Sequence, residues 1–253
     1  MADERERAII DSFIKFADRL VDDFDVLDLT IQLTEDCVQL LGVAAAGLLL
    51  ADVGMLHLVA ATSEQARSLE LFQLQREQGP CLDCYRTGSP VSVPDLQAEA
   101  DRWPRFTAEA SEQGFASVHA IPMRLRDEVL GALGLFGTTT GELAADDLSL
   151  AQALAHVASI AVLQHDRAMN QAHLLPTLQR TVASRGLLEM AKGILAEVYQ
   201  LSMAQAAQRL RHYAHQHGRR LTDVARTVVA GELPARQQLL AELGAPASTG
   251  PVP

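Results

Sequence analysis

Apolar residues recur at helical spacing from the start of the chain, where Ile9, Ile10, Phe13, Ala17, Leu20, Val21 and Phe24 predict an amphipathic helix within residues 1–26. A second helical pattern runs from about Leu27 to Leu41, and Gly42 can supply its left-handed cap. The period then changes. VAAAGLLLA, the turn Asp52-Val53-Gly54 and MLHLVAA predict a hairpin whose first strand is buried on both faces. The polar stretch SEQARSLELFQLQRE reads as a helix and is followed by Gly79-Pro80, a short segment from Cys81 to Arg86 and the strand-like VSVPD. Residues 103–113 read as a helix, SVHAIPMRL and EVLGALGLFG as a second hairpin across Arg126-Asp127, and about Ala145 to Met169 as a long helix. An antiparallel sheet flanked by helices makes residues 27–168 an α+β domain, with the helix over about 145–169 serving as a connector.

Pro176 marks a boundary, and residues 176–231 hold three helical patterns. The first covers about 177–198 and places Leu188, Ala191, Leu195 and Val198 on one apolar stripe. The second starts at Ser202, which with Gln205 forms a capping box, and stops at Gly218. In the third, Thr222 is the expected cap, Ala225, Val228 and Val229 face inward, and Gly231 with Pro234 ends the helix. The last stretch, GAPASTGPVP (residues 244–253), is too rich in Pro, Gly and Ala to pack and is expected to be disordered.

Charge sharpens this division. The 253 residues carry a net charge of −11, which alone speaks against a polyanionic partner. Residues 1–175, however, hold 12 basic and 27 acidic side chains, whereas residues 176–231 hold 8 basic and 3 acidic. The C-terminal helices are a basic island of +5 behind an acidic region of −15. MADERERAII lacks the pattern of a secretory signal, and the longest apolar run, Leu40 to Ala51, is about half a membrane span. A cytoplasmic protein without membrane contact is expected. Three cysteines, Cys37, Cys81 and Cys84, fit a reducing compartment.

Within the island, SRGLLEMAKGIL sets Arg185, Glu189 and Lys192 at spacings of four and three. On a helix they share a face opposite Leu188, Ala191 and Leu195, so both cations are expected to point outward, the alternative being a solvated face with a Glu189–Lys192 pair. Gly193 removes a side chain at a helix-interior position, at a cost of about 1 kcal/mol that a close approach by a ligand would justify. The second helix adds Arg209, Arg211, His212 and Tyr213, and the following turn adds Arg219 and Arg220. An aromatic ring among guanidinium groups can stack and neutralise a single-stranded nucleic acid, while Tyr213, three residues after Leu210, also fits a core position.

The stretch SRGLLEMAKGILAEVYQLSMAQAAQRLRHYAHQHGRRLTDVARTVV resembles an ANTAR domain, the three-helix RNA-binding module of bacterial antitermination regulators. The resemblance is carried by Arg185, Ala191-Lys192-Gly193, Ala206, Leu210-Arg211, Arg220-Leu221 and Asp223-Val224-Ala225, with Ala207 where the family usually has an aromatic. Residues 27–168 resemble a GAF domain through EQGPCLDCYRTGSPVSVPDL, Trp103-Pro104-Arg105-Phe106 and PMRLRDEVLGALGLF. The resemblance implies an α+β GAF-like sensor followed by an all-α three-helix ANTAR bundle. It implies RNA binding, to paired stem-loops in nascent leader transcripts; Arg185, Lys192, Gly193, Arg211 and Arg220 stand at positions that carry the resemblance, and the reading of the residues adds Tyr213 and Arg219 as RNA-binding candidates. A homodimer is expected from the apolar faces of the N-terminal and connector helices. A small-molecule effector fits a GAF fold, its identity is left open, and neither cofactor nor metal is expected.

Two other readings stand beside this one. Cys81-Leu82-Asp83-Cys84 is a C-x-x-C pair able to do redox chemistry, which would make the chain a cysteine-based redox enzyme or sensor. SVHAIPM, however, carries no cysteine where a GAF-fold methionine sulfoxide reductase would place one. Three short helices also make a helix-turn-helix reader of duplex DNA.

Overall fold

The computed structural model describes residues 2–19, 25–52, 54–168, 175–231 and 233–244. It divides into two compact units, residues 1–182 and residues 183–253.

The first unit opens with α1 (Ala2–Arg19) and α2 (Val26–Leu41). Asp25 caps α2 by accepting the Leu27 N–H at 3.0 Å, and Gly42 closes it in the left-handed region at φ 66°. On α1 it is Phe16 and Ser12 that are buried, whereas Ile10 and Ile14 are about half exposed. Ile9 and Phe13 of the predicted stripe are half-buried and Ala17 is exposed, while Leu20 and Phe24 lie outside the described residues.

A five-stranded sheet follows, built from β1 (Ala45–Asp52), β2 (Met55–Ala61), β3 (Val91–Val93), β4 (Ser117–Leu125) and β5 (Glu128–Gly137). Its order is β2-β1-β5-β4-β3 and all neighbours are antiparallel. Successive side chains of a strand face opposite ways. One face carries Ala45, Gly47 and Leu49 of β1 with Ala132, Gly134 and Phe136 of β5, and is covered by α3 (Glu64–Arg76), α4 (Pro80–Thr87) and α5 (Pro104–Glu112). The other face is covered by α2 and α6 (Ala145–Ala168), which pack on each other and on β1 and β4. Helices on both faces explain why β1 is buried almost throughout. The 145–163 stretch of α6 is long and apolar enough to cross a membrane, but Ala151, Leu154, Ala155, Ala158 and Val162 are buried inside this unit as a core helix would have them.

The second unit contains most of α7 (Leu175–Tyr199), then α8 (Met203–Gln216), α9 (Leu221–Ala230) and α10 (Leu233–Gly244). Pro176 sits in the first turn of α7, at the start of the helix, where its missing N–H costs no helical bond. The capping box at α8 forms as expected: Ser202 Oγ accepts the Gln205 N–H at 3.2 Å and Gln205 Oε1 accepts the Ser202 N–H at 2.9 Å. Two expectations are corrected. Val198 is 53% exposed, because the buried stripe of α7 ends at Leu195. The cap position of α9 is Arg220 rather than Thr222, since the helix starts two residues earlier and buries Leu221 in its first turn. Helix α10 occupies residues to which the sequence pattern assigned no element, and it packs on α8 and α9 with Leu239 and Leu243 buried. Residues 245–253, most of the expected disordered tail, lie outside the described residues.

Candidate functional site

The basic candidates fall into two groups. On α7, Leu188, Ala191 and Leu195 are buried, and Gly193 is exposed with no heavy atom within 4 Å of where a Cβ would stand. Arg185 is half-buried. For Lys192 the paired alternative holds: its side chain is 17% exposed and Nζ donates to both Glu189 carboxylate oxygens, at 2.9 and 3.0 Å. The spacing of three that put both on one face also lets them pair, so an anionic ligand reaching Lys192 must compete with Glu189.

The second group surrounds the turn between α8 and α9. Arg219 and Arg220 are exposed. Arg220 Nε donates to Asp223 Oδ2 at 2.7 Å, Arg226 donates to the same carboxylate at 2.8 Å, and Arg219 donates to Thr227 Oγ1 at 3.3 Å. Arg211 is half-buried on α8. Of the two readings of Tyr213, stacking platform or core position, the structure shows the core one. Its ring is buried and stacks on His217 at 4.0 Å between centroids, and its hydroxyl donates to Glu242 Oε2 at 2.6 Å. Burial and the Glu242 carboxylate raise the phenol above its usual value, while the neighbouring Arg219 guanidinium opposes them.

In the first unit a polar cluster lies against the sheet. Gly47, Gly134 and Ala120 are register partners across β1, β5 and β4, giving three strands a floor of small residues. The Glu70 carboxyl of α3 rests on that floor: a Cβ at Gly47 or at Gly134 would come within 2.6 Å of Oε1. Gln73 donates to Glu70 Oε2, the Cys81 thiol meets Oε1 at 3.6 Å, and the Cys81 N–H donates to Gln73 Oε1 at 3.2 Å. Glu70, Gln73, Cys81 and Cys84 are all buried. Burial pushes the Glu70 carboxyl up to about 8, against the lowering effect of the Cys81 and Gln73 hydrogen bonds. It also drives the Cys81 thiol well above its usual range, helped by Glu70, and the Cys84 thiol up to about 12. The thiolate is the nucleophile, so this environment suppresses the chemistry that the C-x-x-C spacing suggested. Among the described residues no group of His, Cys, Asp and Glu is arranged to hold a metal ion.

Sequence reasoning missed Glu70 and Gln73. Both lie in a helix read only as polar, yet Ala66, Glu70 and Gln73 are spaced by four and three, as a buried stripe requires. The glycines inside strands that otherwise read as fully buried were the second signal.

A helix-flanked antiparallel sheet enclosing a buried polar cluster, followed by a separate basic helical unit, defines a two-part protein with a sensor-type α+β domain and a helical output domain. A model of the GAF domain matches residues 25–163, and a model of the ANTAR domain matches residues 177–229. The chain belongs to the GAF domain family and carries an ANTAR domain behind the GAF domain. A search of curated proteins finds no match. Among solved structures, the GAF domains of the phosphoenolpyruvate-protein phosphotransferases from Acinetobacter and Coxiella burnetii are 14% and 16% identical, each match covering 65% of this chain and 97% of the other at a TM-score of 0.51. Free methionine-R-sulfoxide reductase from Neisseria meningitidis, solved with its substrate, is 16% identical over 65% of this chain and 91% of its own, also at 0.51. At such identities these likenesses speak for the fold alone.

Proposed function

We propose that this chain is a cytoplasmic, non-enzymatic regulator whose GAF domain senses a small-molecule signal and whose ANTAR domain binds paired stem-loops in nascent leader RNA to favour antitermination. The observation that carries the reading is the coincidence of the ANTAR match with the +5 island, whose exposed Arg219, Arg220 and Gly193 give an RNA backbone both charge and room. Phosphate contacts would come from Arg185, Lys192, Arg211, Arg219 and Arg220, with Lys192 and Arg220 exchanging their carboxylate partners for phosphate. Dimerisation through α1 belongs to the same proposal, supported by exposed Ile10 and Ile14. The test is a titration of a synthetic RNA with two tandem stem-loops against a duplex DNA of equal length, at several salt concentrations. RNA binding should be the tighter, and its logarithm should fall with log salt by about 0.7 for each single-stranded phosphate neutralised. Equal affinity for both polymers would sink the RNA reading.

A further inference from the structure

Helix α10 lies beyond the matched ANTAR residues, which end at 229, and it is built onto the very face that carries the second group of candidates. Its C-terminal turn is a set of acceptors. Glu242 Oε2 accepts a hydrogen bond from the Tyr213 hydroxyl at 2.6 Å, and Arg209 Nη1 donates to the carbonyls of Leu243 at 3.0 Å and Gly244 at 3.5 Å. Tyr199 of α7 donates from its hydroxyl to the Leu240 carbonyl. These phenol and guanidinium groups are donors of the kind that single-stranded RNA engages with phosphate oxygens and base edges. Glu242 is held below the usual carboxylate range by the Tyr213 and Gln238 hydrogen bonds, with His217 and Arg219 adding positive charge nearby.

The apolar part of the attachment is small. Leu239 and Leu243 are the buried apolar side chains of α10, the other residues described from 234 to 244 being exposed or half-buried. A helix of 12 residues is marginal away from its packing surface, so it has little independent reason to persist once undocked. Residues 231 and 232 alone separate it from α9.

We propose that α10 is a tethered competitor for RNA: its Glu242 carboxylate and terminal carbonyls occupy Tyr213 and Arg209, and single-stranded loop RNA displaces it to take those donors. This rests on the ANTAR unit binding RNA. Displacement would free the Tyr213 hydroxyl and the Arg209 guanidinium, and any signal that loosens α10 would raise RNA affinity without altering a contact residue.

The test uses the full chain. Leu239→Ser with Leu243→Ser removes the anchors, and Glu242→Gln removes the charge while keeping the shape. With the double stem-loop RNA, the anchor variant should bind about fivefold tighter or more, as expected when an occluded fraction is released. Its salt slope should steepen by about 0.7 for each phosphate newly reached. Glu242→Gln should bind tighter by a smaller factor. Hydrogen exchange on the unaltered protein should show residues 233–244 losing protection when RNA is added. Unchanged or weaker binding in both variants, with helices intact by circular dichroism and α10 still protected under RNA, makes α10 a fixed fourth bundle helix and overturns the proposal. Should the anchor variant unfold, Glu242→Gln and the exchange result decide it. No binding of the RNA by any form, at any salt, would instead remove the RNA reading itself and the competitor with it.

Discussion

Gly47 of β1 stands opposite Gly134 of β5 in the sheet register, and the Glu70 carboxyl fills the space that both leave. At Gly134 an added Cβ would stand 2.6 Å from Glu70 Oε1, 2.9 Å from the Cys81 sulfur and 3.0 Å from Phe136 Cζ, so three neighbours must move together. Gly134→Ala should therefore lower the stability of the GAF domain by about 1–3 kcal/mol, the usual cost of overpacking. Chemical denaturation measures this, and a stabilised variant would mean that the carboxyl is free to leave the floor.

Glu70 also gives the domain a pH dependence with a definite sign. An unfolded carboxyl titrates near 4.5 and the folded one near 8, so between these values the folded state binds the extra proton. Stability from this group is complete below pH 4.5, declines as pH rises and is lost by the time pH passes 8. The sum should be on the order of a few kcal/mol. His119 acts the other way, because burial lowers its pKa and its unfolded form takes up a proton below about 6.5. Glu70→Gln isolates the carboxyl: the variant should lose the decline and be the more stable form at pH 8. Parallel denaturation curves for both proteins from pH 5 to 8 would refute a buried protonated carboxyl.

Cys37, Cys81 and Cys84 are buried and their thiols are all driven upward by desolvation. In the folded protein at pH 8 a small thiol reagent should label them at least about a hundredfold more slowly than in denaturant, since both access and thiolate fraction are suppressed. Rapid labelling of Cys81 or Cys84 in the native state would revive the redox reading.

The short apolar runs of β1, β2, β4 and β5 between turn residues and the helical spacing of α2, α6 and α8 made the order of elements legible, because the period and length of an apolar pattern follow from which faces are buried. Caps at Gly42 and Ser202 were equally plain, being local chemistry. What sequence pattern could not carry was pairing between distant positions. Lys192 and Glu189 lie close enough in sequence for their pairing to be weighed, but Glu70 against Gly47 and Gly134, or Tyr213 against Glu242, depends on packing that joins residues 23 to 64 positions apart. Helix α10 escaped for a related reason: with Leu239 and Leu243 as its buried apolar contacts, it presents hardly any stripe to count.

Gly193 offers a test in which stability and function should move in opposite directions. It sits inside α7, is exposed, and has open space where a side chain would project. Alanine there meets no neighbour and stiffens the unfolded chain, so Gly193→Ala should stabilise the helix by about 1 kcal/mol. Gly186, two turns earlier and in equally open space, should respond to alanine in the same way. A glycine retained at such a cost is accounted for if an RNA backbone comes close enough to exclude a methyl group. Gly193→Ala should then weaken binding of the double stem-loop RNA by about tenfold, or roughly 1.4 kcal/mol, while raising the melting temperature. Thermal unfolding and RNA titration on the same preparation give both readings. If the variant melts higher and binds RNA as well as the unaltered protein, the contact surface does not include this turn of α7, and the phosphate-binding role must rest on Arg219, Arg220 and the face beneath α10.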